Sequence, residues 1–269
     1  FQLEPIAAAF HYESLITTDE LVLVADLGGG TTDFTIMNLS PNKIGQKNRS
    51  QDILGSAGVY IGGDKFNSDI MRHKLLKYFG KDVTYKPVIM DSPEPFSTRV
   101  PHSLLDKITK WQHIAFLKGK QTRMLLNQIE RTASDPQAIS RLKSLIDHNL
   151  GYSLFQTIET TKCNLSSQDT TTINYNQTNI QIAETLSLTE FEDMIDYAIT
   201  KFDECITNLL QNCGLQLNQI DSIFLTGGSS LIPKVKSFLV NKFGEDKLRS
   251  SETFTSVAAG LARSSYLME

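Results

Sequence analysis

The sequence predicts an α/β fold around a mixed sheet, and three observations predict it. Segment 21–26 is a nearly continuous apolar run, as a strand covered on both faces should be, and segment 220–225 reads as another buried strand. Each runs directly into a glycine-rich loop, Leu27-Gly28-Gly29-Gly30-Thr31-Thr32-Asp33 in one case and Thr226-Gly227-Gly228-Ser229-Ser230 in the other. Between and after them, apolar residues recur at helical spacing.

The elements follow in order. Segment 34–39 reads as a second strand, and its return across the short glycine turn makes a hairpin with the first. A turn at 40–42 leads to a third strand near 52–59. Over 65–78, Phe66, Ile70, Met71, Leu75 and Leu76 stand at helical spacing. Segment 80–101 is irregular, punctuated by Pro87, Pro93, Pro95 and Pro101. Segment 103–117 reads as a helix with Leu104, Ile108, Trp111 and Ala115 on one face. Ser134-Asp135-Pro136 is a helix start, with an Asp cap and proline at the first helical position, continued by Ile139, Leu142, Ile146 and Leu150. A helix over 153–165 precedes short strands at 170–175 and 179–183. Thr189 and Glu192 have the spacing of a capping box, opening a long helix to about 213 that Gly214 stops. Helices at 233–243 and 255–266 complete the chain, with a further strand between them. This order places the sheet-bearing core over 1–80 and 186–269. A mainly helical subdomain with a short β-hairpin is inserted at 81–185.

Composition narrows the function. Hydrophobic residues make up 40% and charged residues 21%, as in ordinary globular chains. A net charge of -4 gives no support for a nucleic-acid partner. No apolar run approaches the ~20 residues that span a bilayer, so no membrane partner is expected. The start, Phe1-Gln2-Leu3-Glu4-Pro5, lacks Met and a signal-peptide pattern, and reads as a cut inside a longer, cytoplasmic protein. Cys163, Cys205 and Cys213 fit no zinc or CxxC spacing and read as buried reduced thiols. Segment 99–143 carries nine Lys/Arg against three Asp/Glu, a balance of +6; this is a solvated helical face or a docking surface for an acidic partner.

The chemistry concentrates in the loops. Gly28, Gly29 and Gly30 remove Cβ atoms, so backbone N–H groups can approach a phosphate, and Thr31 and Thr32 can add hydroxyls. Asp26 ends a buried strand and Asp33 lies across the hairpin. Two such carboxylates suit Mg²⁺ held through waters and shared with phosphates. Gly227-Gly228-Ser229 repeats the strand–loop–helix context in which α/β folds bind nucleotides. Ile61-Gly62-Gly63-Asp64 is a phosphate contact or a tight turn. Glu159, Lys162 and Ser166, at i, i+3 and i+7, share one helix face, which without context is a surface ion pair. There is no GxxxxGK[ST], GxSxG or HExxH.

The series Glu4-Pro5-Ile6-Ala7-Ala8-Ala9-Phe10, Asp26 to Asp33, Gly62-Gly63-Asp64-Lys65-Phe66, Glu159 to Ser167, Leu225 to Val235 and Val257-Ala258-Ala259-Gly260-Leu261-Ala262 resembles the second lobe of the nucleotide-binding domain of DnaK-type (heat-shock protein seventy) chaperones. Its longer insertion is most like the YegD-type atypical homologues. The resemblance implies an actin-like ATPase (RNase-H-like) lobe with a five-stranded core, binding ATP or ADP with Mg²⁺. It implies that Glu4, Asp26 and Asp33 lie near the hydrated Mg²⁺ and the attacking water. Gly28, Gly29, Gly30 and Thr31, with Gly63, would hold the β- and γ-phosphates. Glu159, Lys162 and Ser166 would contact adenine and ribose, and Gly227, Gly228, Ser229 and Ile232 would pass under the nucleoside. The implied partners are the nucleotide, a first lobe of the same parent chain, and a protein client or co-chaperone. The family usually has Arg where Leu231 stands, an Asp near Phe254, and acids where Lys65 and Asn67 stand. The family's other phosphate loop and catalytic lysine belong to the first lobe, so this chain alone is expected to hydrolyse ATP poorly. The rivals are a sugar kinase of the same superfamily and a degenerate nucleotide sensor or protein-interaction module.

Overall fold

The computed structural model describes residues 4–46, 49–87 and 96–250. Helix α1 (Glu4–Glu13) is followed by β1 (Glu20–Leu27), β2 (Thr32–Leu39), β3 (Ile53–Val59) and α2 (Gly63–Ile70). Next come β4 (Thr84–Tyr85), β5 (Thr98–Arg99), α3 (His102–Ile108), α4 (Trp111–Ile114), α5 (Lys120–Thr132), α6 (Pro136–Asp147) and α7 (Gly151–Asn164). The chain continues through β6 (Thr170–Gln177), β7 (Ile180–Ser187), α8 (Leu188–Met194), α9 (Asp196–Asn212), β8 (Ser222–Thr226), α10 (Pro233–Phe243) and β9 (Leu248–Ser250). The expected helix at 255–266 and Phe254 lie outside the described residues. The chain divides into two compact units, residues 1–65 with 195–269, and residues 66–194.

In the first unit the sheet has five strands in the order β3-β2-β1-β8-β9. β1 pairs antiparallel with β2 and parallel with β8, and β9 adds a parallel edge. The mixed five-stranded sheet is therefore present, with β9 supplying the further strand. Along β1 the side chains alternate. Val22 and Val24 join Met37, Leu39 and Phe224 in a buried cluster under Ala9 and Tyr12 of α1. On the opposite face Phe34 meets Phe202 of α9 edge-on, with ring centroids 6.0 Å apart. Each layer buries large apolar side chains, worth roughly 1.5–3 kcal/mol apiece before entropy is counted.

A buried ionic knot closes the end of α1. Arg49 donates to both oxygens of Glu13, at 2.8 and 2.6 Å, and also to Asp52, which Lys43 reaches as well. Burial alone would raise the Asp52 carboxyl, but Lys43 and Arg49 hold it below the ordinary carboxylate value.

In the second unit α2 passes at Met71 into a π-helical turn and then a 3-10 turn, which Gly80 ends at φ +102. The spaced residues Phe66, Ile70, Met71, Leu75 and Leu76 are all buried. The single helix expected at 103–117 is broken. Lys110 is extended, α4 restarts out of phase, and Ile114 and Leu117 are buried while Trp111 and Ala115 are exposed. The basic stretch 99–143 runs through α3, α4 and α5 into α6, and within it α5, a helix of its own, buries Leu126 and Ile129. Asp135 caps α6 through Ala138 N–H at 3.1 Å, but α6 ends at Asp147, and Leu150 caps α7.

The capping box also differs. Ser187 N–H donates to Glu190 at 2.9 Å and Glu190 N–H donates to Ser187 Oγ at 3.2 Å, two residues before the expected pair. The helix it opens is α8, and Ile195 separates α8 from α9. Gly214, at φ +68, follows the end of α9 as expected. None of the three cysteines is fully buried: Cys163 is exposed and the other two are half-buried. Burial pushes the thiols of Cys205 and Cys213 upward, so neither is a ready nucleophile.

Candidate functional site

The glycine turn between β1 and β2 is held by its neighbours in the first unit. Gly28 N–H closes the turn on Thr31 O at 3.0 Å. From the start of α2, Gly63 N–H donates to Gly28 O at 3.1 Å and Asp64 N–H to Gly29 O at 2.8 Å. Ser229 Oγ donates to Gly28 O at 3.4 Å. Three loops, 28–31, 62–64 and 227–229, therefore meet at Gly28 and Gly29. A trans peptide points its N–H opposite its C=O. With the carbonyls of Gly28 and Gly29 turned toward loop 62–64, the N–H groups of Gly29 and Gly30 point away from that loop.

The glycines fall into two kinds. A Cβ on Gly62 would sit 2.5 Å from Gly29 O, and one on Gly227, at φ +82, 2.3 Å from Leu27 O. These two are required by the fold itself. A Cβ on Gly30 would meet nothing within 4 Å, and one on Gly29 only Asp64 Oδ1 at 3.9 Å. Neither has a positive φ, and both are exposed. Their missing side chains leave open a surface that an anion can approach closely. Gly228, also exposed, begins the 3-10 turn Gly228–Leu231.

The acids are cross-strand partners. Asp26 pairs with Asp33 on β2 and with Thr226 on β8. By alternation all three share the sheet face that carries Val24 and Phe224. Asp26 is 7% exposed. The Asp33 carboxylate accepts Thr31 Oγ1 at 2.9 Å and lies where a Cβ on Gly58 would come within 2.3 Å of it. Carboxylates directly opposite on a ladder repel each other, and a cation relieves this. Among the described residues no three His, Cys, Asp or Glu side chains gather as a metal cage. The pair fits Mg²⁺ held through water and shared with phosphate, and does not fit a site made of protein ligands alone. The Thr32 hydroxyl, expected to add a donor, is buried and donates to Ile61 O at 2.8 Å. Glu4 opens α1, and its side chain is not among those described.

Glu159 and Lys162 lie in the second unit, on α7. Lys162 Nζ donates to Glu159 Oε2 at 2.7 Å, and the lysine is 6% exposed. Partial burial would raise the Glu159 carboxyl, but Lys162 and a hydrogen bond from Asn67 hold it below its ordinary value. This is more than the surface pair the spacing alone implied, because a buried ammonium needs its carboxylate. Ser166 does not lie on the helix: α7 ends at Asn164 and Ser166 follows in a turn, its N–H bonded to Cys163 O at 3.1 Å. Ile232 is 3% exposed and caps α10, whereas Leu231 beside it is half exposed. Gly58, Thr226 and Asn67 were missed as site residues. The first two could have been found by laying out the strand register opposite Asp33 and Asp26.

A family model described as Hsp70 protein matches residues 133–267, half of the chain. Among the described residues no helix is long and apolar enough to cross a membrane.

Proposed function

The chain belongs to the Hsp70 family, and from that premise we propose that it is the ATP-binding second lobe of a chaperone-like ATPase of the YegD-like kind. The observation that carries the reading is the open Gly29–Gly30 turn, whose glycines are required by neither packing nor φ, beside the facing Asp26 and Asp33. In this reading loops 28–31, 62–64 and 227–229 receive the phosphates. Asp26 and Asp33 hold Mg²⁺ through water, and bound Mg²⁺ supplies charge neutralisation at the phosphates. Asp33 also holds the Thr31 hydroxyl on the phosphate side. Glu159, Lys162 and Ser166 take adenine and ribose, and Glu4 stands near the attacking water. A first lobe of the parent protein completes the cleft, and hydrolysis drives lobe motion. The inserted subdomain is proposed at 81–185.

Calorimetric titration of Mg-ATP into the full-length protein tests this. Asp26→Ala should abolish binding and Lys162→Ala should weaken it about tenfold, the loss of one charge-assisted hydrogen bond. This chain alone should turn over ATP far more slowly than the parent. Binding that survives Asp26→Ala would defeat the assignment of the acid pair. Wild-type protein that binds no nucleotide would favour an interaction module, working through the basic face of segment 99–143.

A further inference from the structure

We propose that Asn67 is a positioning residue that aims the Glu159 carboxylate at the nucleoside of the ligand, an inference that rests on the nucleotide-binding reading above. Asn67 lies in α2 and is 5% exposed. Its Nδ2 donates to Glu159 Oε2 at 2.6 Å, and Lys162 Nζ donates to that same oxygen at 2.7 Å. The other oxygen, Oε1, receives the Cys163 thiol at 3.4 Å, a weak donor. Two strong donors on one oxygen fix the plane of the carboxylate. Acceptor capacity remains on Oε1, on a side chain that is 41% exposed.

The cost of this arrangement identifies its purpose. Because Glu159 requires a donor from Asn67, the amide cannot turn over, and its Oδ1 is left buried without a hydrogen-bond partner among the described residues. An unpaired buried acceptor destabilises a fold, and a leucine would fill nearly the same volume without one. Packing therefore does not account for an amide here, whereas the hydrogen bond to Glu159 does.

The test uses Asn67→Leu and Asn67→Ala in the full-length protein, titrated with Mg-ATP and with inorganic tripolyphosphate, alongside thermal midpoints. Asn67→Leu is expected to weaken ATP binding about tenfold, the loss of one hydrogen bond to a charged group. Tripolyphosphate, which has no nucleoside, should bind as before, and the midpoint should hold or rise. Asn67→Ala, which removes the same donor, should also weaken ATP and leave tripolyphosphate binding unchanged, and it decides the matter if the leucine variant does not fold. ATP affinity unchanged in both variants overturns the proposal. So does a parallel loss of ATP affinity, tripolyphosphate affinity and thermal midpoint, which marks a merely structural residue. Wild-type protein that fails to bind ATP brings down the functional reading and this inference together. Wild-type binding with wild-type-like variants brings down this inference alone.

Discussion

At the scale of the residue, Gly62 and Gly30 look identical in sequence and differ in what surrounds them. Gly62→Ala would drive a methyl into the carbonyls of Gly28 and Gly29, and should destabilise the protein by about 1–3 kcal/mol in a denaturant titration. Sequence shows that both are glycine but not which one faces backbone, so this division became visible only in the fold. The same holds for Asp52, which in sequence is one acid among many. Its carboxyl is held below the ordinary value by Lys43 and Arg49 against the opposing effect of burial. A depressed folded-state value contributes stability that is complete above the unfolded carboxyl value near pH 4 and is lost as pH falls through the folded value. Asp52→Asn should therefore lower the thermal midpoint at pH 7, by an amount that shrinks as pH falls through the folded value. A loss that stays constant as pH falls would mean that packing, not charge, is what Asp52 supplies.

At the scale of the element, strands were more legible than helix ends. β1 and β8 are legible because each has an apolar stretch, 21–25 and 223–225, of the kind strands buried on both faces carry, running into a glycine-rich loop. The start of α8 was misplaced because Thr189 and Glu192 fit the capping-box spacing as well as Ser187 and Glu190 do. What decides between them is where β7 stops, at Ser187, and strand length is not written in that spacing. Ser187→Ala should cost about 1 kcal/mol and Thr189→Ala much less, read as thermal midpoints. α5 is not legible in the sequence because its buried residues, Leu126 and Ile129, are few and set among charges. β9, three residues long, is paired among the described residues only to β8. Its place is set by the ladder and not by its own composition.

At the scale of the whole molecule, the order of the loops along the chain was legible and their meeting point was not. Segments 28–31, 62–64 and 227–229 are far apart in sequence. The sheet brings them together because β1 sits between β2 and β8. Asp26 and Asp33 became a facing pair through the same register. The central claim is that the Gly29–Gly30 turn is open for a phosphate and not for the fold. The most direct measurement is a Mg-ATP titration of wild-type and Gly30→Ala full-length protein, with thermal midpoints taken on the same samples. The account predicts midpoints that agree within about 2 °C, since a lone surface substitution costs little, and ATP affinity at least about tenfold weaker. Unchanged ATP affinity in Gly30→Ala would contradict it.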